Sequence, residues 1–271
     1  MKPFIKILSA TMPSLVVKMA YNKIVQPTVF KLRPHEIEIL DKAEKDFISF
    51  NSFDVQTYKW GNGPKKILLV HGWEGQAGNF AEIIESLVDN DYTVYAFDAP
   101  SHGFSSKGKT TMFEFSALVK LFLKEHAIKN IISHSFGSVG TTHCLSNNKD
   151  IKVDKYVMIT TPDRFEQRLN DVAQMVGLNN RVKNKLVNKL ESEFNVKVND
   201  QNVSDFVTKV NVEKAYILHD VNDKIIAIQQ SIDVQKAWGT ACVLEKIENT
   251  GHFRILRTDA VVEKVINFLE S

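Results

Sequence analysis

Cysteine is scarce in this chain: Cys144 and Cys242 are the only two. That is too few for a disulfide framework, so the fold must rest on an apolar core, and a reduced, cytoplasmic setting is expected. Long apolar runs are missing as well. None approaches the roughly 18 residues that mark a transmembrane helix. Charge of one sign is not in excess: 34 Lys and Arg stand against 32 Asp and Glu, a formal net charge of +2. A nucleic-acid binder usually carries a clear basic surplus, so no nucleic-acid partner is expected. There is no H-E-x-x-H, no paired-cysteine spacing and no G-x-G-x-x-G after a strand. Neither a metal nor a dinucleotide cofactor is therefore expected, and no other cofactor is called for. What is present is ordinary for a globular protein: 44% hydrophobic and 24% charged residues over 271 positions. Such a chain buries enough apolar surface to offset its chain entropy, in one large domain or two small ones.

Residues 1–35 form a distinct arm. They hold Lys2, Lys6, Lys18, Lys23, Lys31 and Arg33, and no Asp or Glu. Lys6 interrupts the first apolar run, and Pro13 and Lys18 follow, so a secretory signal is not expected. Between Pro13 and Pro27 the polar residues Ser14, Lys18, Asn22 and Gln26 recur every four positions, which makes a helix with a polar stripe. Pro13 suits its first turn and Pro27 ends it. The main expectation is an arm that packs its apolar face on the main domain. The alternative is weak attachment to an anionic membrane surface, or self-association.

From residue 47 onward, strands and helices alternate. Strands are expected at 47–50, 55–60, 66–70, 92–97, 130–133, 156–160, 215–218 and 242–247. Helices are expected at 80–88, 112–126, 136–145, 225–238 and 255–269. This alternation predicts an α/β fold, a mostly parallel central sheet with helices on both faces. Residues 162–211 break the pattern. A simple crossover needs about a dozen residues, so this 50-residue stretch, with helical periodicity at 165–176, 182–194 and 203–210, is an insertion. Ligands bind at the carboxyl ends of such strands, so an insertion leaving a strand end is placed to fold over the site as a cap. The expected division is an arm (1–35), a core (36–161 and 212–271) and a helical cap (162–211).

Two strand ends carry chemistry. Ser133-His134-Ser135-Phe136-Gly137 follows an apolar strand and opens a helix. A sharp turn of that kind exposes its central serine, and small residues two positions to either side let strand and helix approach. Ser133 stands where such turns usually have glycine. His71-Gly72-Trp73-Glu74-Gly75 follows the strand at 66–70. A glycine loop there presents a backbone N–H to a developing oxyanion, and the N–H groups of Trp73 and Phe136 are the expected pair. His71, Gly72 and His134 are expected to line the pocket.

Together with Phe97-Asp98-Ala99-Pro100-Ser101-His102-Gly103-Phe104-Ser105 and Gly251-His252-Phe253, these motifs resemble the α/β-hydrolase superfamily over about residues 45–271. The resemblance implies the α/β-hydrolase fold with a helical cap. It also implies that the loop carrying Asp98, Pro100, His102, Gly103 and Ser105 lines one side of the pocket mouth. The family's order of serine, then acid, then histidine implies Ser135 as nucleophile and His252 as base. Asp223 is the expected acid, with Asp220 and Asp163 as alternatives.

The expected activity is that of a serine hydrolase of the esterase or lipase kind. It would cleave the carboxylic ester or thioester of a small-molecule acyl substrate through an acyl-enzyme. Amidase, peptidase or acyl-transferase chemistry on the same residues is the alternative, and a non-catalytic small-molecule binder is the competing class. In the insertion, Arg181, Lys183, Lys185 and Lys189 form a solvated face or steer an anionic substrate. Phe165, Leu169, Val172, Met175 and Val176 pack the cap down or line an acyl pocket.

Overall fold

The computed structural model describes residues 2–271. Its strands are β1 (Glu44–Phe50), β2 (Phe53–Trp60), β3 (Lys65–Val70), β4 (Tyr92–Phe97), β5 (Asn130–His134), β6 (Val153–Ile159), β7 (Val212–Asp220) and β8 (Cys242–Ile247). They make one sheet in the order β1-β2-β4-β3-β5-β6-β7-β8. β2 pairs antiparallel with both β1 and β4, and every pairing from β4 to β8 is parallel. The helices are α1 (Lys2–Thr11), α2 (Pro13–Val25), α3 (Pro34–Asp41), α4 (Ala81–Asp89), α5 (Met112–Glu125), α6 (Phe136–Asn147), α7 (Phe165–Val176), α8 (Asn180–Phe194), α9 (Val203–Val207), α10 (Ile228–Trp238), α11 (Gly251–Arg254) and α12 (Asp259–Glu270). Among these, α1, α3 and α11 were not anticipated.

Strand alternation divides the core in two. On β3, Ile67 and Leu69 face one side with α3, α4 and α12; Leu68 and Val70 face the other with α5, α6 and α10. All four are buried, as are their neighbours on β5 and β6, which is why these strands read as continuous apolar runs. A third packing region lies off the sheet. Tyr21 and Val25 of α2 are buried against Leu169 of α7 and Leu186 and Leu190 of α8, and Val16 and Val17 against Val182. The arm thus buries its apolar side on the 162–211 insertion rather than on the sheet. Tyr21 also donates to Glu193, and Lys189 lies 4.3 Å over the Tyr21 ring.

The loop after β4 is a knot built on a buried carboxylate. Asp98 Oδ1 accepts the Ala77 N–H at 2.8 Å; Oδ2 accepts the Tyr58 hydroxyl at 2.8 Å and the Phe104 N–H at 2.9 Å. Gly103 has φ 44°, and a Cβ there would lie 2.0 Å from Asp98 Oδ2. The Ser105 hydroxyl accepts the Gln56 N–H at 2.9 Å and itself donates to the Asp98 carbonyl, fastening the loop to β2. Asp98→Ala strands two buried donors, Ala77 N–H and the Tyr58 hydroxyl, and a part-buried third, Phe104 N–H, and a buried donor costs about 1–3 kcal/mol when unpaired. The expected loss is about 3 kcal/mol or more in urea unfolding; a change below about 1 kcal/mol would show the knot to be dispensable.

Candidate functional site

The turn between β5 and α6 is set by close packing. A Cβ on Gly137 would sit 2.3 Å from the Val70 carbonyl oxygen, so α6 approaches β3 only because residue 137 has no side chain. The chain meets that approach by forcing Ser135 to φ 51° and ψ −120°, a region of roughly 1–3 kcal/mol strain for a non-glycine residue. Ser135 stands at the tip with its N–H held by the Ile159 carbonyl at 3.0 Å. Ser133 is fully buried behind it, its hydroxyl bonded to Ser138 at 2.9 Å and to Tyr156 at 2.8 Å. Those two partners explain how serine is accommodated where glycine was expected.

Three side chains from three loops meet at this tip. Ser135 Oγ lies 3.1 Å from His252 Nε2, and His252 Nδ1 lies 2.8 Å from Asp223 Oδ2. With Nδ1–H donating to the carboxylate, Nε2 is the lone-pair nitrogen facing the hydroxyl. Asp223 Oδ1 accepts the N–H groups of Ile225 at 2.7 Å and Ile226 at 3.0 Å. Burial acts to raise the Asp223 pKa, but His252 and these two donors outweigh it and hold the carboxyl below its usual range. The arrangement is an unbroken chain from hydroxyl through imidazole to carboxylate.

Asp220 has another place. It accepts the N–H groups of Asn222 at 2.7 Å and Gly251 at 2.8 Å, and the hydroxyl and N–H of Thr250. It therefore fastens the loop that carries His252 and does not touch the ring. Asp163 is also apart: its Oδ1 accepts the Ser204 N–H at 2.7 Å. His134 is buried, which pushes its pKa down to about 3, and its Nε2–H donates to the His252 carbonyl at 2.9 Å.

A cavity of ≈ 220 Å³ opens on Ser135. Gly72, Trp73, His134 and His252 line its inner wall. Among the described residues, neither the Trp73 nor the Phe136 N–H has a protein acceptor. His71 is not in the lining, which corrects the expectation from sequence. Both its nitrogens are used: Nδ1 donates to the Gly72 carbonyl at 2.8 Å, and Nε2 accepts the Ala99 N–H at 2.9 Å. Burial keeps it neutral, as a pin between two strand ends. The 98–105 loop lies behind Trp73, with His102 5.2 Å from its ring, and supplies no lining residue.

The outer wall is a second correction. Among the described residues, none of the insertion lines this cavity; the wall comes from the arm, through Phe30, Lys31 and Arg33, and from α3 through Glu36. The cations of the insertion, for which steering of substrate was the alternative to a solvated face, are elsewhere: Lys183 bonds Asn170 at 2.9 Å and Lys189 pairs with Glu193 at 3.2 Å. Phe165 and Leu169 pack with α2 and α8, so they hold the insertion down rather than line the pocket. The side chain of Met175 lies outside the described ones. The arm is stitched to the 72–76 loop. Phe30 N–H donates to the Glu74 carbonyl at 3.3 Å, Gln76 donates to the Phe30 carbonyl at 2.7 Å, and Lys23 pairs with Glu74 at 2.9 Å. Nothing in the local sequence pattern announces this; the absence of acids in the arm was its only unusual mark. Among the described residues, no cluster of three or more His, Cys, Asp or Glu is placed to hold a metal.

This fold is that of the α/β-hydrolases. A family model described as "alpha/beta hydrolase fold" matches residues 65–191. An esterase of Pyrococcus furiosus superposes with a TM-score of 0.66 at 18% identity, over 92% of this chain and 97% of that one. Est1E of Butyrivibrio proteoclasticus, solved with ferulic acid, gives 0.63 at 16% identity, over 83% and 100%. The thioesterase domain of the curacin biosynthetic pathway gives 0.61 at 14%, over 84% and 99%. In sequence, the acetyltransferase component of an acetoin-cleaving system of Cupriavidus necator is 31% identical over 99 residues. That match covers 35% of this chain, which spans about a quarter (26%) of that relative's length. The chain has the α/β-hydrolase fold.

The four donors around Asp220 give a pH signature. They override the upward push of burial and hold its carboxyl at about 2, below the ordinary 3.8. A carboxyl lowered on folding contributes stability that is complete above the unfolded value and is lost as pH falls through the folded one. Asp220→Asn is therefore expected to be less stable at neutral pH, but to lose less stability than the wild type between about pH 4 and pH 2. Urea titrations across that range check this, and equal slopes in the two proteins would count against the anchor.

Proposed function

We propose that the protein is a serine hydrolase that cleaves a carboxylic ester or thioester. The observation that carries this is the Ser135–His252–Asp223 hydrogen-bonded chain opening on a cavity beside two uncommitted N–H groups. Ser135 Oγ attacks the carbonyl carbon while His252 Nε2 takes its proton. The N–H groups of Trp73 and Phe136 hold the tetrahedral oxyanion. The carbon–oxygen or carbon–sulfur bond then breaks, and the imidazolium returns the proton to the leaving alcohol or thiol. Water, deprotonated by His252, attacks the acyl-enzyme; the acid leaves and Ser135 regains its proton. Asp223 fixes the imidazole tautomer and stabilises its cationic form. Esterases and a thioesterase domain among the structural relatives support this reading.

Cleavage of an amide, or acyl transfer to another nucleophile, uses the same groups. A non-catalytic small-molecule binder is the contrasting reading. A fluorophosphonate probe separates the classes: the wild type is expected to label and Ser135→Ala is not. A folded wild type that stays unlabelled would establish the binder. On p-nitrophenyl esters of short chain, Ser135→Ala and His252→Ala are each expected to lose about 10⁴-fold or more in kcat, and Asp223→Asn about 10⁴-fold. Trp73 and Phe136 act through backbone, so their side-chain variants are not the test of the oxyanion site.

The arm offers a partner surface. Met12, at the N-cap of α2, and Leu15 and Met19 on the helix are exposed, in a segment whose charged residues are all basic. We infer weak binding to an anionic membrane surface through this stripe. Flotation with phosphatidylserine vesicles should carry the full-length protein, and Met12→Ser, Leu15→Ser and Met19→Ser together should abolish it. Equal flotation of both would reject the inference.

A further inference from the structure

The cavity beside Ser135 is asymmetric in charge. Its apolar part is formed by Trp73, Leu256 and the Phe30–Phe253 pair, whose ring centroids are 5.9 Å apart. Its charged part holds Lys31, Arg33, Arg257 and a single carboxylate, Glu36. Arg33 is matched internally, bonding Glu36 at 3.1 Å and Glu82 at 2.8 Å. Glu36 is consumed in the same pairing. Lys31 and Arg257 are different: among the described residues, neither has an ion pair or a hydrogen bond. Both are exposed, yet the backbone under each is fixed. Lys31 follows Phe30, whose carbonyl and N–H are both bonded to the 74–76 loop, and precedes Leu32, which packs on the core. Arg257 ends a turn whose other residues, Ile255 and Leu256, are buried.

Two cations without carboxylate partners, set on pinned backbone, line one small cavity. An anion bound there would be attracted by both and would gain charge-assisted hydrogen bonds. We propose that Lys31 and Arg257 form an anion subsite next to Ser135, and that the substrate is a short acyl ester or thioester bearing a carboxylate or a phosphate. The size of the cavity, at the small end for ligand pockets, sets the limit on chain length. The substrate class rests on the serine-hydrolase reading; the anion subsite is tested by binding alone.

Isothermal titration of the full chain with two probe pairs makes that test. Glutarate monoanilide is compared with valeranilide, and phenyl phosphate with anisole. At least one anionic probe is expected to bind about tenfold or more tighter than its neutral partner, less so as salt rises. That preference should vanish in the double variant Lys31→Gln/Arg257→Gln and persist in Arg257→Lys. Binding of glutarate monoanilide alone identifies a carboxylate on the acyl chain; binding of phenyl phosphate alone identifies a phosphate. No anionic preference in the wild type, or a preference that survives the double substitution, overturns the proposal. Thermal unfolding of the double variant verifies that a loss of binding is not a loss of fold. Failure of the serine-hydrolase reading looks different: the wild type would resist the fluorophosphonate while still preferring the anion.

Discussion

The contact between α6 and β3 at Gly137 is the constraint on which the site depends. It brings the helix so near the neighbouring strand that the preceding turn has no relaxed conformation available. Ser135 takes up the strain at φ 51° and ψ −120°, outside the left-handed region that non-glycine residues with positive φ ordinarily occupy. The same geometry starts α6 just after Ser135, which leaves the Phe136 N–H free of a helical acceptor. A serine raised at the tip of the turn and a donor aimed beside it are two consequences of one steric fact. Strain of roughly 1–3 kcal/mol is sustainable here because the turn sits at the centre of the sheet, flanked by β3 and β6.

Holding an imidazole in register with that serine needs more than one carboxylate. Asp220, the last residue of β7, and Asp223, three residues on, divide the work. Asp223 meets the ring, while Asp220 gathers the backbone of Thr250 and Gly251 immediately before it. His134, the last residue of β5, reaches the carbonyl of His252 on the other side. The histidine loop is therefore bound to β5 and β7 at once, and the ring has little freedom to swing away. This is preorganisation in the physical sense: the cost of ordering these groups is met on folding rather than at each encounter with a ligand.

What the sequence disclosed follows from the range of the interactions involved. The strand–loop motifs at 71–75, 133–137 and 251–253 are local, because their shape is enforced by residues within a few positions, so their function shows in a short string. β4, α7 and β8 also match their sequence expectations end to end, each being a clean periodic run between breakers. α3 escaped notice, since eight residues with three acids give little periodic signal. His71 misled because its position at a strand end suits either a pocket or a pin, and only the distant Ala99 N–H decides between them. The outer wall of the cavity was illegible for a stronger reason. Phe30 to Arg33 reach the site through contacts with residues more than forty positions away, and no local pattern encodes those.

That wall also links parts of the molecule that a reading by segments keeps separate. α2 is packed on α7 and α8 of the insertion, and the same arm continues into the strip that closes the cavity. Lys23, near the end of α2, pairs with Glu74 in the loop that bears the Trp73 donor. The insertion is thus joined to the pocket at one remove, through a segment that is neither cap nor core. Local sequence similarity to the α/β-hydrolase fold does not report this arrangement, because the residues of the cavity's outer wall lie outside the stretch, 65–191, where the family pattern is found. Selectivity at such a rim can change through the arm while the strained serine turn, fixed by its own packing, stays as it is.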